Sequence, residues 1–368
     1  MRTLSQLVIL ASSIALLTGL PTFADGQLIC GGTIGAGKHQ MTADIINCAG
    51  TPALTLESGA ELDMNGHRIT CLDNSRDGVL LSGAGSAIAN GTISGCNIGL
   101  EISGGGGHEV SFLVLIDNGN VGLHTLSDGN KLSSIYADDN ATSQIYIESD
   151  GNKLSRCHGS GGNRGIHIQG DKNKVSDSSV RENAIHGFYV EDGNGNSFKG
   201  CAAVGVDIDG FHVRGEANKI TGSSAIYCDE HGFSLEGAGN KVVKSTAIGN
   251  EYGFSTGAGC ESCTFSNNNS TDNFTANFSG GGERAVFAKN DAKGGDIGIL
   301  LDNPGATARS NRVIAANDDG IQVFDAPFVI SDNIVFGSIY DLHDETAMCT
   351  GNVWQDNLAG TTFQGCED

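Results

Sequence analysis

At intervals of 22 or 23 residues along the chain, His186, Asp209 and His231 occupy one recurring place, each directly before a glycine, with Arg164 ahead of them and Tyr252 behind. A second recurring place holds His124, Tyr146, His167, Tyr189 and His212, and a third holds Glu148, Gln169, Glu191, Arg214 and Glu236. If successive intervals stack, each column becomes a ladder of side chains in contact. Such ladders can move a proton beside a carboxylate. His186 or His231 would remove a proton α to a carboxylate of the substrate, and Tyr189 would donate to a leaving oxygen. Arg164 or Arg214 would hold that carboxylate and its enolate-like intermediate, while Asp209 orients a histidine or binds metal. His124, Tyr146, His167, His212, Arg214, Glu191 and Tyr252 would line the substrate's path, with the aromatic rings offering their faces to sugars. His158 and His108 can be counted near the same face. Hydrolysis of a glycoside would instead need two carboxylates, for which Asp209 with Glu191 or Glu236 qualifies.

A second cluster is acidic. Asp207, Asp209, Asp229 and Glu230 lie one interval apart, and carboxylates on adjacent turns can share a Ca²⁺ ion, which prefers oxygen ligands. Both clusters have a plainer reading. Exposed parallel strands favour Tyr and His for packing and solubility, and Asp is an ordinary turn residue.

The spacing itself dictates the scaffold. Gly-apolar-x-apolar units run from Gly99-Leu100 to Gly320-Ile321 at steps of 21 to 23 residues, and Asn130, Asn152, Asn173, Asn196, Asn218 and Asn240 repeat in step with them. The Leu spacing of leucine-rich repeats and the GGxGxDxUx of calcium-binding nonapeptides are both absent. What remains is an all-β, right-handed parallel β-helix of about a dozen coils of about 22 residues. Leu123, Ile145, Ile166, Phe188, Phe211, Phe233 and Phe254 would form one inward column, with Ile147, Ile168, Val190, Val213 and Leu235 two residues on. The residue between them points out. The asparagines would bond from rung to rung.

Composition agrees. The 368 residues include 55 Gly and only four Pro, without a collagen triplet. The net charge of −22 excludes nucleic acid and anionic membranes as partners, and no stretch after the N-terminus is apolar enough to span a bilayer. Residues 1–24 read as a secretory signal peptide, which predicts an extracellular, periplasmic or cell-surface monomer whose cysteines can pair. The divisions are then an N-terminal cap over 25–53, the helix over 54–345 and a C-terminal cap over 346–368. Cys30 with Cys48 and Cys349 with Cys366 would staple the caps. Cys71 and Cys96 align one turn apart, and Cys260-Glu261-Ser262-Cys263 reads as a local disulfide or inert thiols. Six Asn-x-Ser/Thr sequons begin at Asn90, Asn140, Asn268, Asn269, Asn273 and Asn277.

The segments Cys30 to Ile34, Asp44 to Cys48 and Leu62 to Ile69, with Gly351 to Cys366 at the far end, resemble secreted right-handed parallel β-helix repeat proteins of the carbohydrate-binding and sugar-hydrolase type, also called NosD-like, within the pectate-lyase-like superfamily. The resemblance implies the fold over nearly the whole chain and a polysaccharide as partner. Lyases and C5-epimerases of uronans occur in that group, as do proteins defined by the repeat alone. The epimerase Asp-Pro-His-Asp and the polygalacturonase Asn-Thr-Asp and Arg-Ile-Lys signatures are missing. The sequence therefore predicts a polysaccharide-active solenoid, lyase or epimerase if an enzyme. The alternatives are a non-catalytic carbohydrate-binding or adhesin-like surface solenoid, and a glycoside hydrolase.

Overall fold

The computed structural model describes residues 28–257, 259–280, 282–324, 327–346 and 351–364. The signal-peptide segment and the Cys349–Cys366 pairing lie outside the described residues. Each coil carries short strands on three faces, for example Arg164–Ile168, Lys174–Ser176 and Ser179–Arg181, and every strand pairs in parallel with its counterpart one coil away. The first face is a 16-stranded sheet. The eleven repeats from Gly99 to Gly320 account for the middle of it. Gly32–Ile34, Leu54–Leu56 and Val79–Leu81 extend it before them, and Tyr340–Asp344 and Thr362–Gln364 extend it after. Pairing thus begins inside the segment read as an N-terminal cap. Among the described residues there is no helix.

The coil closes because the backbone turns sharply between faces. Between the second and third faces the turn residue is left-handed in coil after coil, as in Ser134, Arg156, Asp177, Gly200 and Gly222, each with φ between 50° and 64°. Glycine enters that conformation without the steric penalty a Cβ brings. Abundant glycine and scarce proline follow from repeating such corners.

Inside, the two expected columns are buried. Phe188, Phe211, Phe233 and Phe254, continued by Phe278 where the regular spacing pointed to Ala276, have no exposed surface and stack face to face at centroid separations of 4.5–4.9 Å. Rungs about 4.8 Å apart bring rings to van der Waals contact without any adjustment.

Buried asparagines carry the corners. The Asn173 amide donates to Asn196 Oδ1 at 2.7 Å, the Asn196 amide donates to Asn218 Oδ1 at 2.7 Å, and Asn196 Nδ2 reaches Gly170 O at 3.1 Å. Asn140, Asn268, Asn273 and Asn277, fully buried, serve the same purpose elsewhere. Replacing Asn196 by Ala orphans a buried N–H and a buried carbonyl, so urea unfolding should show a loss of about 2–4 kcal/mol. Asn196→Asp keeps the acceptor but sets a carboxyl oxygen against the Gly170 carbonyl, so it too should lose stability, and more at neutral than at acid pH. Equal stability of Asn196→Ala and wild type would remove the ladder's energetic role.

Cys30–Cys48, Cys71–Cys96 and Cys260–Cys263 are disulfides, and Cys157, Cys201 and Cys228 are buried thiols. Burial pushes the Cys157 thiol up to about 12, so it is inert at neutral pH.

Candidate functional site

The first face stacks the chemistry-bearing columns. Arg164 pairs with His186 and His186 with Asp209 across adjacent strands, and His231 pairs with Tyr252. Tyr146, His167, Tyr189 and His212 form the neighbouring column in the same register.

Asp209 is the hub. Its side chain is only 4% exposed and meets three imidazoles. His212 Nδ1 donates to Oδ2 at 2.6 Å. His231 Nδ1 donates to Oδ1 at 2.8 Å, and the His231 backbone amide adds a bond at 3.2 Å. His186 Nδ1 stands 3.6 Å from the occupied Oδ2 and is buried without a hydrogen-bond partner. Burial opposes the Asp209 charge, but the hydrogen bonds from His212 and His231 outweigh it and hold the carboxyl well below its usual range. The same carboxylate acts back on His231. Desolvation would lower that imidazole, yet the Asp209 bond and charge raise it above its ordinary value. His186 behaves oppositely. Desolvation first, then His212, takes it down to about 4. Desolvation, with Arg164 next, takes His167 down to about 3. At neutral pH the face therefore holds two firmly neutral imidazoles beside one whose basicity the carboxylate raises.

Rung stacking also fixes how the rings present themselves. His124 lies on Tyr146 at 5.0 Å and 2°, and Tyr146 on His167 at 4.3 Å and 10°. Tyr189 touches His167 and His186 at 4.9 Å each, and His186 lies 4.7 Å from His212. His231 stacks on Tyr252 at 5.2 Å and 19°. From His124 to His167 and at His231–Tyr252 the ring normals thus run along the rod and the faces are spent on one another, whereas His167–Tyr189, His186–His212 and Tyr189–His212 are tilted by 31°, 34° and 59°. A ligand laid on the sheet meets ring edges, with their nitrogens and hydroxyls, rather than faces. The expectation of sugar stacking is corrected on this point. His167 and Tyr189 are 5% exposed although they belong to the outward column, because neighbours on the adjoining rungs cover them.

The remaining candidates frame the hub. Arg164 places its Cζ 5.0 Å over the Tyr189 ring, and its buried Nε has no hydrogen-bond partner. Arg214 Nη1 donates to the Tyr189 hydroxyl at 3.3 Å, and its Nε lies 3.4 Å from Glu236. His167 Nε2 bonds to Glu191 at 3.1 Å. His124 Nε2 is 3.4 Å from Glu148, and the Tyr146 hydroxyl donates to Gln169 at 2.7 Å. Two histidines lie elsewhere. His158 is on the third face, bonded to Ser179, and His108 is fully buried against Ser86 and Ser103.

The acidic quartet does not gather as one set. Glu230 and Asp209 come together with His231, whereas Asp207 and Asp229 are exposed turn residues outside that group. Among the described residues the sets able to hold a metal ion are His186–Asp209–His212, Asp209–Glu230–His231 and Asp319–His343–Glu345. Each contains imidazole, and both Asp209 oxygens already accept N–H bonds. A hard, oxygen-seeking Ca²⁺ ion fits these donors poorly.

The third set was missed in the sequence. His343 Nδ1 is 2.9 Å from Asp319 Oδ2, and His343 Nε2 is 3.6 Å from Glu345. Asp319 precedes Gly320 as Asp209 precedes Gly210, and His343 follows Gln322 in the His/Tyr column. Extending the His/Tyr column beyond His212, and the pre-glycine column beyond Tyr252, would have found it.

This geometry on this scaffold defines a class. The chain matches the model of the right-handed beta helix region over residues 52–203 and 209–352, and it belongs to that family. Its fold is similar to that of the pectate lyase Pel9A, with a TM-score of 0.52 at 14% identity over 76% of this chain and 79% of the lyase. It is equally similar to a tailspike protein mutant of E. coli bacteriophage HK620 in complex with a pentasaccharide, with a TM-score of 0.52 at 10% identity over 88% and 72% of the two chains. No curated protein matches it in sequence.

Proposed function

We propose that this is a secreted, polysaccharide-active β-helix protein that acts on a uronate-containing glycan laid along the first face, with His231 as the base. The observation that carries the reading is the Asp209–His231 pair. The carboxylate fixes the proton on Nδ1, so Nε2 of a quarter-exposed ring keeps its lone pair for a substrate proton. Raised above the ordinary histidine value, His231 is a better base than His186, which desolvation has weakened. Nε2 takes the C5 proton. The C–H electron pair forms the C4–C5 double bond, the C4–O bond breaks, and the leaving oxygen takes the Tyr189 hydroxyl proton. Arg214, already bonded to the Tyr189 oxygen, stabilises the phenolate left behind, and Arg164 faces the sugar carboxylate. Reprotonation of C5 from the other side, without C–O cleavage, would make the same apparatus an epimerase. In the hydrolase alternative Asp209, held far below neutral, could serve only as the ionised carboxylate, both of whose oxygens already accept imidazole N–H bonds, and Glu191 or Glu236 would have to be the acid. The disulfides and the leader-like N-terminus support secretion.

The test is turnover on a panel of uronans, read as absorbance of the unsaturated product, with NMR for epimerisation. His231→Ala should lower kcat by about 10²–10⁴-fold. His124→Ala, several rungs away, should change KM more than kcat. Retained binding with no turnover on any uronan would replace the enzyme by a carbohydrate-binding solenoid.

A further inference from the structure

The second face carries a row of cations at one strand position. Lys131, Lys153 and Lys174 are direct neighbours on successive rungs, Ser197 follows, and Lys219 and Lys241 continue the row. All five lysines are exposed. Lys131, Lys153, Lys174 and Lys199, with Ser133, Ser155 and Ser176, line a concavity of about 530 Å³ that has no carboxylate on its wall. Like charges about one rung apart repel, and nothing in the fold requires lysine there. The same face shows the alternative. Its earlier rungs form a smaller concavity of about 260 Å³ lined by Lys38 together with Glu61, Asp63 and Glu109, and Lys38 pairs with Glu61. Rung-to-rung ion pairs also neutralise Arg68, Arg284 and Arg312. In the lysine row only Lys131 has such a partner among the described residues, Glu109 at 2.6 Å. The acidic residues at the preceding corner, Asp128 and Asp150, accept the backbone amides of Asp150 and Asp171 and form no ion pair with the row among the described residues. A cationic groove with a single ion pair, on a chain of net charge −22, is a local reversal of sign.

We infer that this lysine groove is a second glycan-docking surface, separate from the His/Tyr face, and that its occupant is an extended acidic polysaccharide bearing a carboxylate on each sugar. Such a chain places one anion per sugar along a line, and a sugar is close to a rung in length. Consecutive lysines then meet consecutive carboxylates, while the serine hydroxyls face the ring oxygens and hydroxyls. The groove would hold the polymer of an otherwise repelling protein and keep the first face supplied.

Polygalacturonate chains, with dextran as the uncharged control, test this by calorimetry and by affinity electrophoresis at low and high salt. The double variant Lys153→Gln/Lys174→Gln should bind polygalacturonate about tenfold more weakly, and wild-type binding should fall with salt. Melting temperature should hold or rise as the repulsion is relieved, which separates lost binding from lost folding. His231→Ala should retain this affinity even where turnover is gone, so failure of the proposed chemistry and failure of the groove read differently. Unchanged affinity of the double variant, or equal retention of dextran, would overturn the inference.

Discussion

Phe211→Asp leaves no cooperatively folded protein at neutral pH. Phe211 has no exposed surface, lies between Phe188 at 4.5 Å and Phe233 at 4.8 Å, and meets the edge of Phe198 at 6.2 Å. A carboxylate there loses both stacks and has no donor in reach. The cost lies well beyond the roughly 4–5 kcal/mol that marks an exceptional mutation. In a solenoid each coil is supported by its two neighbours, so one broken rung also uncouples the coils on either side. The comparison is Tyr146→Ala, which gives up stacking on His124 and His167 at the surface and should lose about 1 kcal/mol. Thermal melts followed by circular dichroism decide the matter. If the two variants melt together, the assignment of inward and outward positions is off by one residue.

Asp209→Asn separates the hub from its histidines with almost no change of shape. The amide offers one acceptor oxygen where the carboxylate offered two, and its NH₂ opposes a ring N–H. His212 or His231 must turn or change tautomer. We expect turnover to fall by about 10²–10⁴-fold and stability at pH 7 by about 3 kcal/mol. The sign of the pH dependence follows from the directions of the shifts. Asp209 is depressed below 3.8, so its stabilisation is complete above that value and is lost as pH falls through the folded-state value; the stability difference between the two proteins therefore closes in strong acid. His231 is raised above 6.5 by Asp209, so the acid limb of kcat/KM should lie above 6.5 in the wild type and move downward in the variant. His186 and His167, neutral down to about 4 and 3, oppose folding as the unfolded chain takes up protons below 6.5, and the wild type should lose stability from there to about pH 4. An unmoved NMR titration of His231 in the variant would show that Asp209 does not hold it.

How much of this was readable in the sequence depends on what each residue answers to. Phe188, Phe211 and Phe233 answer only to period and alternation, so their burial followed from spacing alone. The His186–Asp209 adjacency followed from the same arithmetic. Spacing does not say which of two neighbouring residues a carboxylate will serve. Asp209 takes His212, on its own strand, and His231, one rung on, and leaves His186 without a bond. It also does not say that rings at rung spacing cover one another, which is why Tyr189 is buried in an outward column. Asp207 and Asp229 looked equivalent to Asp209 because all are acidic and close in number, yet they sit at a corner where their side chains face solvent. The Asp319–His343 pair was overlooked because the columns of interest were followed only as far as Tyr252, where the run of aromatic and basic residues stops.

The buried asparagines also restrict the cells in which this chain can be made. Asn140, Asn268, Asn273 and Asn277 each open an Asn-x-Ser/Thr triplet, and each spends its side chain inside the stack. A secretory pathway that attaches sugars to such triplets does so while the chain is still extended, before the rungs have closed. A branched sugar on any of these four amides removes a donor from the ladder and cannot be accommodated in a fully buried corner. In such a host, rung closure and sugar transfer compete for the same atoms, and every transfer that wins yields a chain unable to finish its stack. Asn90 and Asn269, both exposed, are the only two of the six triplets that a folded molecule could carry modified. A bacterial secretion route without that modification avoids the competition, and yield across the two kinds of host becomes a measure of how fast the coils close.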